Sequence, residues 1–374
     1  MIIAHVVRQY APSVGGLEEV VKNLARFQLE AGLRPYIITL DRVFKHPDDR
    51  LPAVEWIEGI KVIRIPYCGS SRYPLAFSVL RHLQEADLVH VHAIDFFYDF
   101  LALTKIIHGK KLVVSTHGGF FHTAYASRLK KIYFKTVTRF CSLFYDKVIG
   151  CSDNDGEIFS QIIAPEKLMV IENGVDIDKL SVPASEALPR PNIIYFGRWS
   201  INKGIIEALR LFSALVKNDR ENPWQFVIAG RPYDIDEEEI RKTAKEYGIS
   251  DRVQVYASPS DSQLKQLAQT ASYFLCLSKH EGFGIAPIEA MSAGLFPLLS
   301  QIPPFKKLVT TTGYGVLLSN DPVVAADTVL NLHLNLQQEK NWNQFALQAS
   351  VKRYSWRAVG TQYVNEYRRI LNDS

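Results

Sequence analysis

Cysteine, methionine and long apolar runs are scarce in this chain of 374 residues. The four cysteines, Cys68, Cys141, Cys151 and Cys276, are scattered with no CxxC pair. That excludes a disulfide framework or a thiolate metal site and leaves small buried thiols in a reducing compartment. No stretch reaches the roughly 18 uninterrupted apolar residues that a membrane-spanning helix needs. Residues 2–7 read as a strand directly after Met1, which predicts no signal peptide. Net charge is only +4, too mild to argue for nucleic acid. No GxGxxG follows a strand-like run, which disfavours a nicotinamide dehydrogenase. One scarcity is local: residues 100–145 contain no Asp or Glu.

What is present is length for two domains, with globular values of 47% apolar and 22% charged residues. Residues 2–7 run into Tyr10-Ala11-Pro12-Ser13-Val14-Gly15-Gly16, then an amphipathic helix ending near Gly32, then a strand at 36–40. Strand, glycine turn, helix, strand opens a doubly wound sheet, although a Gly-Gly pair also suits any tight turn. Further strands are predicted at 61–65, 88–92, 112–116 and 147–151. His117 follows the carboxyl end of one of them, where open α/β sheets bind ligands. A catalytic and a structural histidine both fit that position.

The acid-free stretch carries Lys105, Lys110, Lys111, Arg128, Lys130, Lys131, Lys135 and Arg139. Over 124–145 these alternate with aromatic and aliphatic residues. That pattern suits an interfacial helix on an anionic membrane, with Lys130, Lys131 and Lys135 facing the lipid. It equally suits a packed helix with a solvated basic face. After Pro183, Pro189 and Pro191 a second βαβ series begins, with strands at 192–197, 224–230, 253–256 and 273–277. Ser260-Asp261-Ser262-Gln263 reads as a capping box.

The last of these strands leads into Lys279-His280-Glu281-Gly282-Phe283-Gly284-Ile285 and a helix ending at Gly294. A helix start with free N–H groups is a site for an anion. Glu281 and Glu289 flank it, and a carboxylate there is explained if it grips hydroxyl groups on something attached to a phosphate. Phosphate and polyol in one loop suggest a sugar nucleotide. Arg198 and Lys203, five residues apart in the first loop of the second half, suit a diphosphate gaining negative charge as its bond to sugar breaks.

The chain resembles the retaining family-4 glycosyltransferases of GT-B fold. The resemblance is carried by Pro12-Ser13-Val14-Gly15-Gly16, Glu172-Asn173-Gly174-Val175-Asp176, Gly197-Arg198…Lys203-Gly204 and Glu281-Gly282-Phe283-Gly284…Glu289-Ala290-Met291. It implies an α/β protein of two facing Rossmann-like doubly wound domains with a cleft between them. The expected boundaries are an acceptor-binding domain at 1–180, a nucleotide-sugar domain at 190–353 and a helix at 354–374 crossing back to the first. The implied catalytic residues are His117 beside the transferred sugar, Arg198 and Lys203 on the diphosphate, and Glu281 on the sugar hydroxyls. The implied donor-binding set adds Gly15 and Gly16, the backbone of Gly282, Phe283, Gly284 and Ile285, and Glu289 on the ribose. Retention is expected by same-face attack, the leaving phosphate accepting the acceptor's proton, with no divalent metal. Asp176-Ile177-Asp178 and Asp234-Ile235-Asp236 imitate a metal-binding DxD and are read as turn or helix-start acids. Arg231-Pro232 and Ala257 depart from the glycines usual in the family, near where the base binds.

More narrowly, Gly69-Ser70-Ser71-Arg72-Tyr73-Pro74, His90-Val91-His92-Ala93-Ile94-Asp95 and Ser115-Thr116-His117-Gly118-Gly119 are similar to the mannosyltransferases of xanthan- and acetan-type exopolysaccharide assembly. This implies GDP-mannose as donor, a polyprenyl-diphosphate-linked glycan as acceptor, and a cytoplasmic protein peripheral on the inner face of the cell membrane. Asp95, His122 and Arg128 are acceptor-side candidates. The alternatives are a family-4 transferase using a UDP-sugar and, from another class, a non-catalytic sugar-nucleotide-binding protein. The second predicts loss of charge at Arg198, Lys203 or Glu281, and all three are present.

Overall fold

The structure is a computed structural model that describes residues 1–117, 131–338 and 342–372. It divides into two units, Met1–Gly174 with Trp356–Ser374, and Val175–Ser355. The sequence-based boundary at 180 falls six residues late. The Val175 N–H donates to Tyr354 O at 2.7 Å and Leu180 is buried in the second unit's core, so this segment belongs to that unit.

The first unit is built on an eight-stranded sheet. Its strands are β1 (Ile2–Val6), β2 (Arg34–Leu40), β3 (Val54–Ile57), β4 (Ile60–Ile65), β5 (Leu88–His92), β6 (Lys111–Ser115), β7 (Lys147–Gly150) and β8 (Leu168–Val170), in spatial order β8-β7-β6-β5-β1-β2-β4-β3. All neighbours are parallel except the β3–β4 hairpin at one edge. The central strands are buried on both faces, as parallel strands between helical layers must be. One face is covered by α1 (Gly16–Glu30) and the C-terminal helix Trp356–Asn372, and α2 (Phe96–Leu103) packs on the opposite face. The C-terminal helix lies tight on α1: a Cβ on Gly360 would stand 2.2 Å from Phe27 Cδ1, so only glycine fits there.

The second unit is a six-stranded parallel sheet of β9 (Asn192–Trp199), β10 (Gln225–Pro232), β11 (Val253–Ala257), β12 (Tyr273–Cys276), β13 (Phe296–Ser300) and β14 (Val316–Leu318). The order β11-β10-β9-β12-β13-β14 is the doubly wound dinucleotide-binding arrangement, which reverses between β9 and β12. Helix α3 (Ile205–Asn218) follows β9, and α4 (Ile285–Ser292) follows β12. The capping box forms as expected, with Ser260 and Gln263 bonding each other's backbone. Sequence reading ends β9 at Gly197, but its register with β10 runs on through Arg198–Arg231 and Trp199–Pro232. Arg198 therefore sits on a strand end and not in a loop, a firmer mount for a side chain than the sequence implies.

Candidate active site

In the second unit the loops that follow β9 and β12 leave the sheet on the two sides of its reversal point. Crevices outside the carboxyl ends of strands at such a point are where open α/β sheets bind ligands. The two connections are tied together. The Lys279 N–H donates to Asn202 O at 2.8 Å, and Asn202 Nδ2 donates to His280 O at 2.8 Å. Gly204, at φ +70, allows this approach, because a Cβ there would stand 2.1 Å from Leu277 O.

That contact joins Lys203 and Glu281, two of the four residues expected to carry catalysis. Lys203 Nζ donates to Glu281 Oε1 at 2.6 Å, and Ser278 Oγ donates to the same oxygen at 2.7 Å. Both side chains are largely covered, at 21% and 14% exposure, so water screens the pair only partly. Arg198 is exposed, with its guanidinium 5.0 Å from the Tyr233 ring centre, a stacking that pre-orients the planar fork. Helix α4 starts from Gly284 in the left-handed conformation, φ +92, with no side-chain cap on its N–H groups. Gly282 and Ile285 are exposed, whereas the Phe283 ring packs edge-on against Tyr354, 5.8 Å between centres. Of Phe283, therefore, the backbone faces the loop.

Glu289 lies on the second turn of α4. Lys179, which sequence reasoning misses, stands near it and pairs with Asp261 at 3.1 Å. Burial pulls the Lys179 pKa down, but Glu289 and Asp261 outweigh it and hold the ammonium above its ordinary value. The two DxD look-alikes have local jobs. Asp234 accepts the Ile201 N–H, Asp236 caps the helix Glu237–Glu246, and Asp176 accepts the Asp178 N–H.

In the first unit Gly15 and Gly16 open α1, where a Cβ on Gly16 would meet nothing within 4 Å. His117 follows β6 with φ +52, a left-handed conformation uncommon outside glycine and frequent at functional sites. Its Nε2 lies 3.0 Å from His92 Nδ1 and its Nδ1 3.5 Å from Cys151 Sγ. Asp95, proposed from sequence for the acceptor, is buried. It caps α2 by accepting the Phe97 N–H at 2.8 Å and sits 2.9 Å from Arg8 Nε as an ion pair. Burial raises its pKa to about 6 against the pull of Arg8 and the backbone N–H groups. His122, Arg128 and Lys130 lie outside the described residues.

Lys131 and Lys135 are both exposed. Their segment contains a π-helical stretch, Phe134–Thr138, where the sequence predicts an α-helix. The extra residue in that turn shifts which side chains face inward. Phe134, Thr138 and Cys141 are buried, and Asp99 receives the Tyr73 and Tyr133 hydroxyls, anchoring the segment to α2. Of the basic residues in the acid-free stretch, Lys105 and Lys111 are paired with Asp146 and are not available to a surface.

A family model described as Glycosyltransferase Family 4 matches residues 14–179, and one described as Glycosyl transferases group 1 matches residues 176–348. Over 99% of its length the chain is 52% identical to the GDP-mannose:cellobiosyl-diphosphopolyprenol alpha-mannosyltransferase of Xanthomonas campestris, covering 97% of that protein. It is 38% identical to the enzyme of the same name from Komagataeibacter xylinus, covering 99% of this chain and 93% of the relative. Among solved structures it is similar in fold to a glycosyltransferase from Rickettsia africae, with a TM-score of 0.74 at 17% identity over 100% of this chain and 99% of the other. It also matches Anabaena Alr3699/HepE in complex with UDP, with a TM-score of 0.73 at 18% identity over 99% and 100% of the two chains. The chain belongs to the family-4 glycosyltransferases, within the group of the GDP-mannose:cellobiosyl-diphosphopolyprenol alpha-mannosyltransferases.

Proposed function

We propose that the protein transfers mannose from GDP-mannose, with retention, onto a polyprenyl-diphosphate-linked oligosaccharide of the cellobiosyl type. The observation that carries this is the full-length identity to enzymes named for that reaction. The charged constellation beside the reversal point supports it. In this reading Lys203, Arg198 and the uncapped start of α4 bind the diphosphate and stabilise the charge it gains as the sugar C1–O bond breaks. As the diphosphate takes Lys203, Glu281 stays oriented by Ser278 and accepts from sugar hydroxyls, while Glu289 accepts from the ribose. The acceptor hydroxyl oxygen attacks C1 from the face the diphosphate leaves, and the leaving phosphate takes its proton. The cations are the chain's own, so no divalent metal is required.

The same reading puts the protein on an anionic membrane surface, where a lipid-linked acceptor resides. No helix among the described residues is long and apolar enough to cross a membrane. In support of surface binding, Lys131, Lys135 and Arg139 are exposed together with Ile132, Phe140 and Leu143. Lys105 Nζ reaches Phe144 O at 2.6 Å, so Ile106 and Ile107, 92% and 75% exposed, belong to the same region. Reversing Lys131, Lys135 and Arg139 to Glu should weaken binding to phosphatidylserine vesicles roughly 100-fold, at about 1 kcal/mol for each lost cation near the surface. Unchanged flotation with the vesicles would leave these residues as an ordinary solvated face.

The donor is tested with a panel of sugar nucleotides and vesicle-borne acceptor, with and without EDTA. GDP-mannose should be consumed, UDP-sugars spared, and EDTA should have no effect. Use of a UDP-sugar in place of GDP-mannose overturns the donor, and loss of activity in EDTA overturns the metal-free chemistry.

A further inference from the structure

A row of imidazoles runs through the first unit beneath α1 and the C-terminal helix. His5 Nε2 lies 2.7 Å from Gln28 Oε1, and His5 Nδ1 lies 2.9 Å from His92 Nε2. His92 Nδ1 lies 3.0 Å from His117 Nε2, and His117 Nδ1 lies 3.5 Å from Cys151 Sγ. A neutral imidazole has one N–H and one bare nitrogen, and an amide oxygen only accepts. With the Gln28 amide turned so that Oε1 faces the ring, His5 Nε2 carries the proton that faces it, which leaves His5 Nδ1 bare. His92 Nε2 then carries a proton and His92 Nδ1 is bare. His117 Nε2 in turn carries a proton, and its Nδ1 is bare. Every proton in the row follows from one carbonyl oxygen.

The rings are neutral because burial removes the charged form. It drives the His5 pKa down to about 4, against a hydrogen bond to Gln28, and that of His117 down to about 3, and it pushes His92 well below its ordinary value. Burial also raises the Cys151 thiol to about 12, so it stays an S–H donor toward His117 Nδ1. His5, His90 and His92 stand close enough to share a metal ion. Hydrogen bonding already accounts for all their nitrogens, since His90 uses Nε2 with Ser115 and Nδ1 with Tyr367.

We propose that Gln28, His5 and His92 are positioning residues that hold His117 in its Nε2–H tautomer and so present Nδ1 as a hydrogen-bond acceptor for a hydroxyl of the transferred sugar. Cys151 is a weak donor, so a sugar hydroxyl displaces it at little cost. His117 thus receives a proton donor and cannot itself donate toward the sugar. This inference rests on the reading that places His117 at the sugar.

The test uses the full chain labelled with 15N-histidine, reading the protonation of each ring nitrogen by long-range 1H–15N NMR alongside turnover of GDP-mannose. His117 is expected as a single tautomer, Nε2 protonated and Nδ1 bare. His92→Leu removes its acceptor, so His117 should become a tautomer mixture and kcat should fall on the order of tenfold, the lower end for loss of an outer hydrogen-bond partner. His92→Gln keeps both an acceptor and a donor in the row and should restore the single tautomer and most of kcat. If His92→Leu does not fold, Gln28→Leu removes the oxygen that sets the row and should produce the same two changes. A mixed tautomer in the unaltered protein, full turnover in the folded Leu variants, or a Gln variant as poor as the Leu variant overturns the proposal. Full turnover in His117→Ala overturns instead the placement of His117 at the sugar, which the NMR result alone does not test.

Discussion

Lys203→Ala and Glu281→Ala are each expected to lower turnover on the order of 100-fold or more, the loss that follows removal of one preorganised group at developing charge. The two residues share a 2.6 Å ion pair in which both partners are mostly shielded from water. In the proposed mechanism Lys203 supplies the point charge for the departing diphosphate, so its loss should fall on kcat more than on KM for the donor. Glu281 accepts from Lys203 and Ser278 through one oxygen. Glu281→Gln keeps an acceptor while losing the charge, and should fall between Glu281→Ala and the unaltered enzyme. Because the two side chains touch, the double alanine variant should cost less than the product of the singles. Steady-state kinetics with GDP-mannose, on variants whose melting temperature is unchanged, checks all of these. Near-normal rates in both single variants would sink the site assignment.

Acidification is expected to loosen the first unit well before the second. His5, His90, His92 and His117 are all neutral in the folded chain, their pKa values lowered first of all by burial. An unfolded histidine takes up a proton near pH 6.5, so below that pH the unfolded state binds more protons than the folded one. Stability is thus fully present above pH 6.5 and is lost as pH falls toward the folded values, about 4 for His5 and about 3 for His117. Asp95 and Asp99 work in the opposite direction. Burial raises both, Asp95 to about 6, so as pH falls through this range they take up protons earlier folded than unfolded. The lowered rings outnumber the raised carboxylates, so unfolding takes up protons on balance and acid favours the unfolded first unit. Hydrogen exchange read by mass spectrometry separates the units. Peptides covering β1, β5 and β6 should lose protection between pH 6.5 and 5, after correction for intrinsic exchange, while those covering β9 and β10 lose less, the second unit holding one such lowered histidine, His333. Equal behaviour of the two units would mean that the rings are not buried neutral.

The parts of this fold that were legible in sequence are those set by neighbours along the chain. The run Tyr273–Cys276 followed by two glycines and a helix reads directly as strand, tight turn and helix start, and Ser260 with Gln263 announces its cap. The Glu281 loop and the stretch from Arg198 to Lys203 are likewise visible in sequence as two pieces that suit one donor. Their direct contact is not, because it depends on β9 lying beside β12, a pairing of segments about 80 residues apart. The histidine row is hidden for the same reason. His5, His90 and His92 look like ordinary residues of apolar strands until β1 and β5 are set side by side, with His5 opposite His90. The π-helical stretch at Phe134–Thr138 has no local signature either, since tertiary packing of Phe134 and Thr138 decides it. Asp95 shows what sequence does not reveal: the acid caps α2 and pairs with the partly exposed Arg8.

The most direct test of the account is the product itself. Purified protein, GDP-mannose and cellobiosyl-diphosphopolyprenol in anionic vesicles should yield a lipid-linked trisaccharide whose new mannose is α-linked, sensitive to an α-mannosidase and confirmed by the anomeric coupling of the released glycan. A β-linked product would contradict retention at this site, and a lipid recovered without mannose would contradict the proposed function.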